Sequence, residues 1–258
     1  MIVKKQKGLK ASEYIFGIHP VMEAVKADQS IDRILIKKGM NNDKIREITG
    51  VARAKSIYIQ YVPIEKLNSI TQKLHQGIIA LKSLIEYQDI EKIVPFLFEQ
   101  GKIPSLLILD GITDVRNFGS IARSCECAGA DAVIIPASGA ARINSDAVKT
   151  SAGALNRIAV CRVTSLTETV QFLKNSGIQI FAATEKAENL IYDRNLTLPG
   201  AILLGGEDTG ISEPLLSMAD TQMKIPLMGK IGSLNVAVAS GVIMFEMLRQ
   251  RENSNSGV

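Results

Sequence analysis

Three polar, glycine-bearing stretches carry the residue types from which a reactive site is built: "DVRNFGSIAR" (114–123), "LLGGEDTGIS" (203–212) and "IPLMGKIGSLN" (225–235). Each joins a small residue, which lets the backbone come close to a ligand, to an amide, hydroxyl, carboxylate or guanidinium. In the middle stretch Gly205 and Gly210 have the G-x-x-x-x-G spacing of a phosphate loop, and Ser212 stands at the matching offset. Ile211 occupies the lysine position, however, and Glu207 and Asp208 lie inside the loop, where two carboxylates repel phosphate. The chain has no G-x-G-x-x-G fingerprint, which disfavours a nucleotide-dependent oxidoreductase. The loop suits a neutral or cationic ligand. A plain tight turn is the structural alternative, and both stay open on these residues alone.

In the first stretch Asn117 or Ser120 can begin a helix, Gly119 permits a close approach, and Arg123 falls one to two turns in. In the last, Ser233 is a credible N-cap for the apolar run that follows, and Arg249 and Arg251 suit the C-terminal end of that helix. Leu234, between Ser233 and Asn235, reads as buried. Singly, the first and last stretches are explained as helix starts and the middle one as a tight turn. Their recurrence within one half of the chain argues for a shared site.

The elements that must position them alternate along the chain. "YIFG", "IDRILIKK", "SIYIQYV" and "GIIALKS" have strand character, with helical spacing in "HPVMEAVKA", "NDKIREITGVARAK" and, from Pro63, "PIEKLNSITQ". This predicts a compact α/β domain over residues 1–83, followed by a linker over 84–103 that is partly helical and punctuated by Pro95 and Pro104. A second alternation fills 104–258. "SLLILDG" and "GAILLGGE" are almost wholly apolar, as strands buried on both faces are. "DAVIIP", "NRIAVCRV", "IQIFAATE" and "TQMKIPL" are further strands, "NFGSIARSCECAGA", "SLTETVQFLKNSG" and "SEPLLSMA" are helices, and a final helix runs from about Leu234 to Arg251. The fold class is α/β, with a mostly parallel sheet covered by helices, and ligands of such sheets gather at the carboxyl ends of the strands.

Composition bounds the function. Of 258 residues, 46% are hydrophobic and 22% charged, enough for a real core and two modest domains. Aromatics are only 5% with no Trp, too few for an extended base-stacking platform. The net charge of +4 is compatible with a nucleic-acid partner but weak evidence for one. Lys4, Lys5, Lys7 and Lys10 read as a solvated terminus. No secretory signal and no membrane-spanning run is expected, and an odd three cysteines, Cys125, Cys127 and Cys161, fit a reducing cytoplasm as small core residues. With only His19 and His75, no metal cluster is expected.

Taken together and in order, "NFGSIAR", "LLGGEDTGIS" and "IPLMGKIGSLNVAVA" resemble the three motifs of the SpoU-type RNA 2'-O-ribose methyltransferases of the SPOUT class. "YIFGIHPVMEAV" and "HQGIIA" resemble the small substrate-binding domain that precedes the catalytic domain in the large-subunit ribosomal RNA guanosine methyltransferases. The likeness spans residues 14–251. Asp208 and Ala237 depart from it, where many relatives carry a small residue and Ser.

The resemblance implies a C-terminal α/β-knot domain with a deep trefoil knot, which no general rule of chain connection would suggest. It implies S-adenosylmethionine as cofactor, with Gly205, Ile225 and Leu234 lining its pocket. It implies methyl transfer to a ribose 2'-hydroxyl of RNA, a guanosine of large-subunit ribosomal RNA being favoured and transfer RNA the alternative. Arg123 is the residue to which the family assigns activation of that hydroxyl. Because arginine keeps its proton in proteins, the role that fits is binding the target phosphate or stabilising the nascent alkoxide. Ser233 and Asn235 position substrate, Asn117 orients Arg123 or the ribose, and Glu207 fixes the arginine or the loops. The family also implies a two-fold homodimer through the knot region. Small residues Ala237, Ala239, Ser240 and Gly241, with Val238, Val242 and Phe245 at helical spacing, allow that, and intramolecular packing explains them equally. From another class, a non-catalytic RNA-binding or assembly factor on the same fold is opposed by the joint presence of Asn117, Arg123, Glu207, Ser233 and Asn235.

Overall fold

The computed structural model describes residues 13–255. The chain forms two compact units that divide between Leu84 and Ile85. The basic terminus with Lys4, Lys5, Lys7 and Lys10 lies outside the described residues.

The first unit contains β1 (Tyr14–Phe16), α1 (Ile18–Lys26), β2 (Ile31–Lys37), α2 (Asp43–Ala54), β3 (Tyr58–Val62), α3 (Ile64–Asn68) and β4 (Ile78–Lys82). Its sheet has the order β1-β4-β2-β3, mixed in direction, with β2 parallel to β3 and antiparallel to β4. Ile34, Ile36, Ile78 and Ala80 face the helices α1 and α2. Leu35, Ile79 and Leu81, one residue out of phase, face Leu67 of α3. Period-two burial on both sides is the reason these strands read as apolar runs.

The second unit contains β5 (Tyr87–Gln88), α4 (Ile90–Glu99), β6 (Ser105–Asp110), α5 (Val115–Cys127), β7 (Ala132–Pro136), α6 (Ser145–Thr150), β8 (Ala159–Val163), α7 (Leu166–Asn175), β9 (Gln179–Ala183), β10 (Gly200–Gly205), α8 (Glu213–Leu216), β11 (Thr221–Met223) and α9 (Val236–Asn255). Seven strands pair in the order β11-β9-β10-β6-β7-β8-β5, every pair parallel. Leu107 and Leu109 of β6 belong to a core shared with α5 and α9, while Leu106 and Ile108 belong to the core beneath α4 and α7. The strand is therefore apolar at every position, as a helix-covered parallel sheet requires.

The segment expected as a linker is part of this unit. Tyr87 and Gln88 pair with Val160 and Cys161 at the sheet edge, and Ile90 and Val94 of α4 are buried in its core. Pro95 sits inside α4 rather than ending it. Helix α6 is not among the elements the sequence predicts; Asn144 caps it, accepting from the N–H groups of Asp146 and Ala147. Cys125 and Cys161 are fully buried, and burial pushes both thiols up to about 12. Cys127, expected in the core, is exposed, because a two-residue step on a helix turns it away from Cys125.

Among the described residues no helix is long and apolar enough to cross a membrane. Helix α9 resolves the ambiguity of its small residues in part. Ser240 is buried, and a Cβ on Gly241 would lie 3.5 Å from Ser124 Oγ, so this face packs on α5. Val238 and Phe245 point elsewhere and are about half exposed.

Candidate functional site

The carboxyl ends of three adjacent strands, β11, β9 and β10, meet at one side of the second unit. The loops that follow them, with the segment entering α9, enclose a cavity of about 780 Å³. Gly205, Ile225 and Leu234, separated by up to 29 positions in the chain, all line it, together with Glu207, Ser233 and Asn235. A cavity of this size is in the range that holds a small molecule.

Gly205 is set by contact. A Cβ there would lie 2.0 Å from the Gly210 carbonyl carbon, because the loop after β10 folds straight back on the strand end. Gly210 closes that return with a φ of +64° and a 2.8 Å bond from its N–H to Gly206 O. Asp110, opposite Gly205 in register, anchors the far end of the loop by accepting from the Ser212 N–H at 2.8 Å. The result is a rigid backbone cradle at the head of two neighbouring strands.

A hydrogen-bond network joins the three polar stretches. Glu207 Oε1 accepts from Asn117 Nδ2 at 3.1 Å, from Asn235 Nδ2 at 2.5 Å and from the Val236 N–H at 3.3 Å. Asn235 Nδ2 also donates to Asn117 Oδ1 at 3.0 Å. Its own Oδ1 accepts from the N–H groups of Ala237 and Val238. Asn235 is thus the N-cap of α9, not Ser233, and the helix starts at Val236 rather than Leu234. Helix α5 likewise starts earlier than its sequence suggested. Asp114 caps it by accepting from Arg116 and Asn117 N–H groups, so Asn117 and Ser120 lie inside the first turns. That cap aims the Asn117 side chain at Glu207.

Two expectations differ from what is found. Leu234 is 38% exposed, not buried, and lies against the cavity beside a loop whose Met228 is 99% exposed. Arg123 is not on the cavity wall. It is exposed on α5, six residues beyond Asn117 and so about 9 Å further along the helix axis. Glu207 therefore ties the loops together, and no bond from it reaches Arg123. Arg116, on the exposed side of the same helix, precedes the "NFGSIAR" stretch. Among the described residues no His, Cys, Asp or Glu group is arranged to hold a metal ion.

Known proteins resemble this chain over most of its length. Residues 104–245 match the SpoU rRNA Methylase family, and residues 14–88 match the family described as RNA 2'-O ribose methyltransferase substrate binding. A putative TrmH family tRNA/rRNA methyltransferase of Staphylococcus aureus (strain MSSA476) is 36% identical over 241 residues, covering 93% of this chain and 96% of its own. A crystal structure of an RNA 2'-O ribose methyltransferase, 26% identical, superposes with a TM-score of 0.55 over 93% of this chain and 88% of the other. The SpoU methyltransferase AviRb of Streptomyces viridochromogenes, solved with the cofactor AdoMet, is 23% identical and shares the fold, with a TM-score of 0.59 over 93% of this chain and 90% of its own.

Proposed function

We propose a function from one premise: the chain belongs to the SpoU rRNA methylase family of RNA methyltransferases. It transfers a methyl group from S-adenosylmethionine to a ribose 2'-hydroxyl of RNA, with a guanosine of large-subunit ribosomal RNA as the target. The observation that carries this reading is the cavity at the strand ends, where Gly205, Ile225 and Leu234 converge beside the Glu207–Asn117–Asn235 network.

The cavity fits the cofactor. Its walls join backbone from 204–211 to the apolar side chains of Ile225, Leu234 and Ile243, which suits a neutral adenine and the methylenes of a methionine chain. The carboxylates that disqualify the loop for phosphate do not oppose a cation. S-adenosylmethionine held there by Gly205, Ile225 and Leu234 would supply a methyl group on a sulfonium, whose departing form is a neutral thioether.

With so good a leaving group, the chain's own tasks are placement and management of the hydroxyl proton. Glu207 and Asn117, through Asn235, hold the entrance of α9 against the loop after β10. Ser233 presents a hydroxyl at the cavity wall to position the ribose, and Asn235, its amide held by Glu207, Asn117 and the first N–H groups of α9, positions substrate indirectly by fixing that segment. Arg123, a permanent cation, holds the target phosphate or stabilises the alkoxide as it forms; the proton leaves late, to water or a phosphate oxygen.

The first unit is assigned to gripping RNA. Lys37 and Lys38 border a separate cavity of about 350 Å³ formed with Gly39, Ile64, Gln76 and Gly77. A two-fold homodimer through α9 is part of the reading, supported by Val238 and Phe245, two turns apart and half exposed with Val242 between them. A monomeric mass in an active sample contradicts it. Transfer RNA is the alternative substrate, since the S. aureus relative is described as a tRNA/rRNA methyltransferase.

The test is transfer of labelled methyl from S-adenosylmethionine to RNA extracted from cells lacking the gene, followed by alkaline hydrolysis. Label retained in alkali-resistant dinucleotides supports the reading. Label on a base, or none, overturns it. Arg123→Ala should abolish transfer and leave cofactor binding intact; full activity in that variant removes Arg123 from the site.

A further inference from the structure

Helix α5 presents two cations, Arg116 and Arg123, that do not line the cavity. Arg116 and Arg123 are seven residues apart, which on a helix places them within about 20° of one stripe and about 10 Å apart along the axis. Ser120 lies between them on that stripe. The opposite face, Phe118, Ile121, Ala122 and Cys125, is buried. Both arginines are exposed, and neither meets a carboxylate among the described residues. The acids of this helix are engaged: Asp114 accepts from the helix N–H groups, and Glu126 pairs with Arg157 at 3.8 Å.

A solvated face is the ordinary explanation of exposed arginines, and position argues against it here. Asn117, next in the chain to Arg116, is bonded to Glu207 and lies beside Asn235. The stripe therefore begins at the residues that close the cavity and ends at Arg123. An unpaired guanidinium at that spot is complementary to a polyanion whose ribose must reach the cavity.

We propose that Arg116 is a substrate-binding residue that grips a backbone phosphate of the RNA strand being methylated, so that the strand runs along α5 past Ser120 to Arg123. The proposal rests on the RNA methylation reading above. It separates two functions on one helix: Arg116 supplies affinity for the strand, and Arg123 acts on the reacting nucleotide.

Steady-state methyl transfer to RNA extracted from cells lacking the gene tests this across a salt series. Arg116→Ala should raise the KM for RNA about tenfold at low salt, a charge-assisted contact being lost, with kcat and S-adenosylmethionine affinity unchanged. The slope of log KM against log salt should fall by about 0.7, one single-strand phosphate contact. Arg116→Lys keeps the charge and should restore the slope. Lys92→Ala removes the same charge from α4, which packs on the opposite side of the sheet, and should change neither quantity. Unchanged KM and slope in Arg116→Ala, or an equal fall in Lys92→Ala, overturns the proposal. A wild type that transfers no methyl to RNA overturns the methylation reading itself, and this proposal with it.

Discussion

Asn235 Nδ2 lies 2.5 Å from Glu207 Oε1, and through that contact the cap of the last helix is fastened to the loop after β10. Asn117 completes the triangle from α5. One carboxylate oxygen serves three N–H donors, from Asn117, Asn235 and Val236.

Glu207→Ala therefore leaves two amides and one backbone N–H without their common acceptor. The residue is exposed, so water replaces much of what is lost and global stability should change little. The geometry of the cavity is what suffers. S-adenosylmethionine affinity should fall about tenfold by calorimetry, the worth of one charge-assisted bond, and Glu207→Gln should fall between this variant and the wild type. Wild-type affinity in Glu207→Ala would show that the network does not hold the cavity.

Gly205→Ala and Gly210→Ala separate close contact from backbone strain. The first sets a methyl 2.0 Å from the Gly210 carbonyl carbon, so the loop must move, and cofactor binding should disappear while the far-ultraviolet circular dichroism is kept. The second has open space but a φ of +64°, and should cost about 1 kcal/mol in urea unfolding. Equal effects from the two would contradict the contact argument.

Arg251 is a structural clamp. Its guanidinium donates to the carbonyls of Leu196, Ile103, Pro104 and Leu198 at 2.9–3.1 Å, tying α9 to the entrances of β6 and β10. Arg251→Lys cannot reproduce the planar fork. It should lower unfolding free energy by about 2 kcal/mol, with cofactor affinity per folded molecule unchanged.

Glu246 gives stability a pH signature. Its carboxylate is nearly buried and bonded to Arg249 and Gln250, and the Arg249 guanidinium holds its pKa below the ordinary 4.5. A depressed carboxyl adds stability above its unfolded pKa and loses it as pH falls through the folded one. The stability gap between wild type and Glu246→Gln should be full at neutral pH and close as the pH drops below about 4.5. A gap that is constant from pH 7 to pH 3 would remove the linkage.

The strands were legible because Leu106–Leu109 and Ala201–Leu204 are short runs apolar at every position, as strands of a sheet covered on both faces are. The convergence of three distant stretches was legible from their recurrence in one half of the chain and from their joint resemblance, since alone two are helix starts and the middle one a turn. Helix entrances misled because two capping residue types stood close together in both cases: Asp114 and Asn117, and Ser233 and Asn235. Which of each pair bonds the free N–H groups depends on backbone geometry that spacing does not carry. The expected linker failed for a similar reason. Its strand is two residues long, and only the pairing with Val160 and Cys161 reveals it.

The most direct measurement is a map of 2'-O-methyl positions in total RNA from cells with and without the gene. The account predicts that one guanosine of large-subunit ribosomal RNA loses its methyl group in the deletion and regains it when the wild-type gene, but not Arg123→Ala, is returned. Identical 2'-O-methyl maps in the two strains would contradict it.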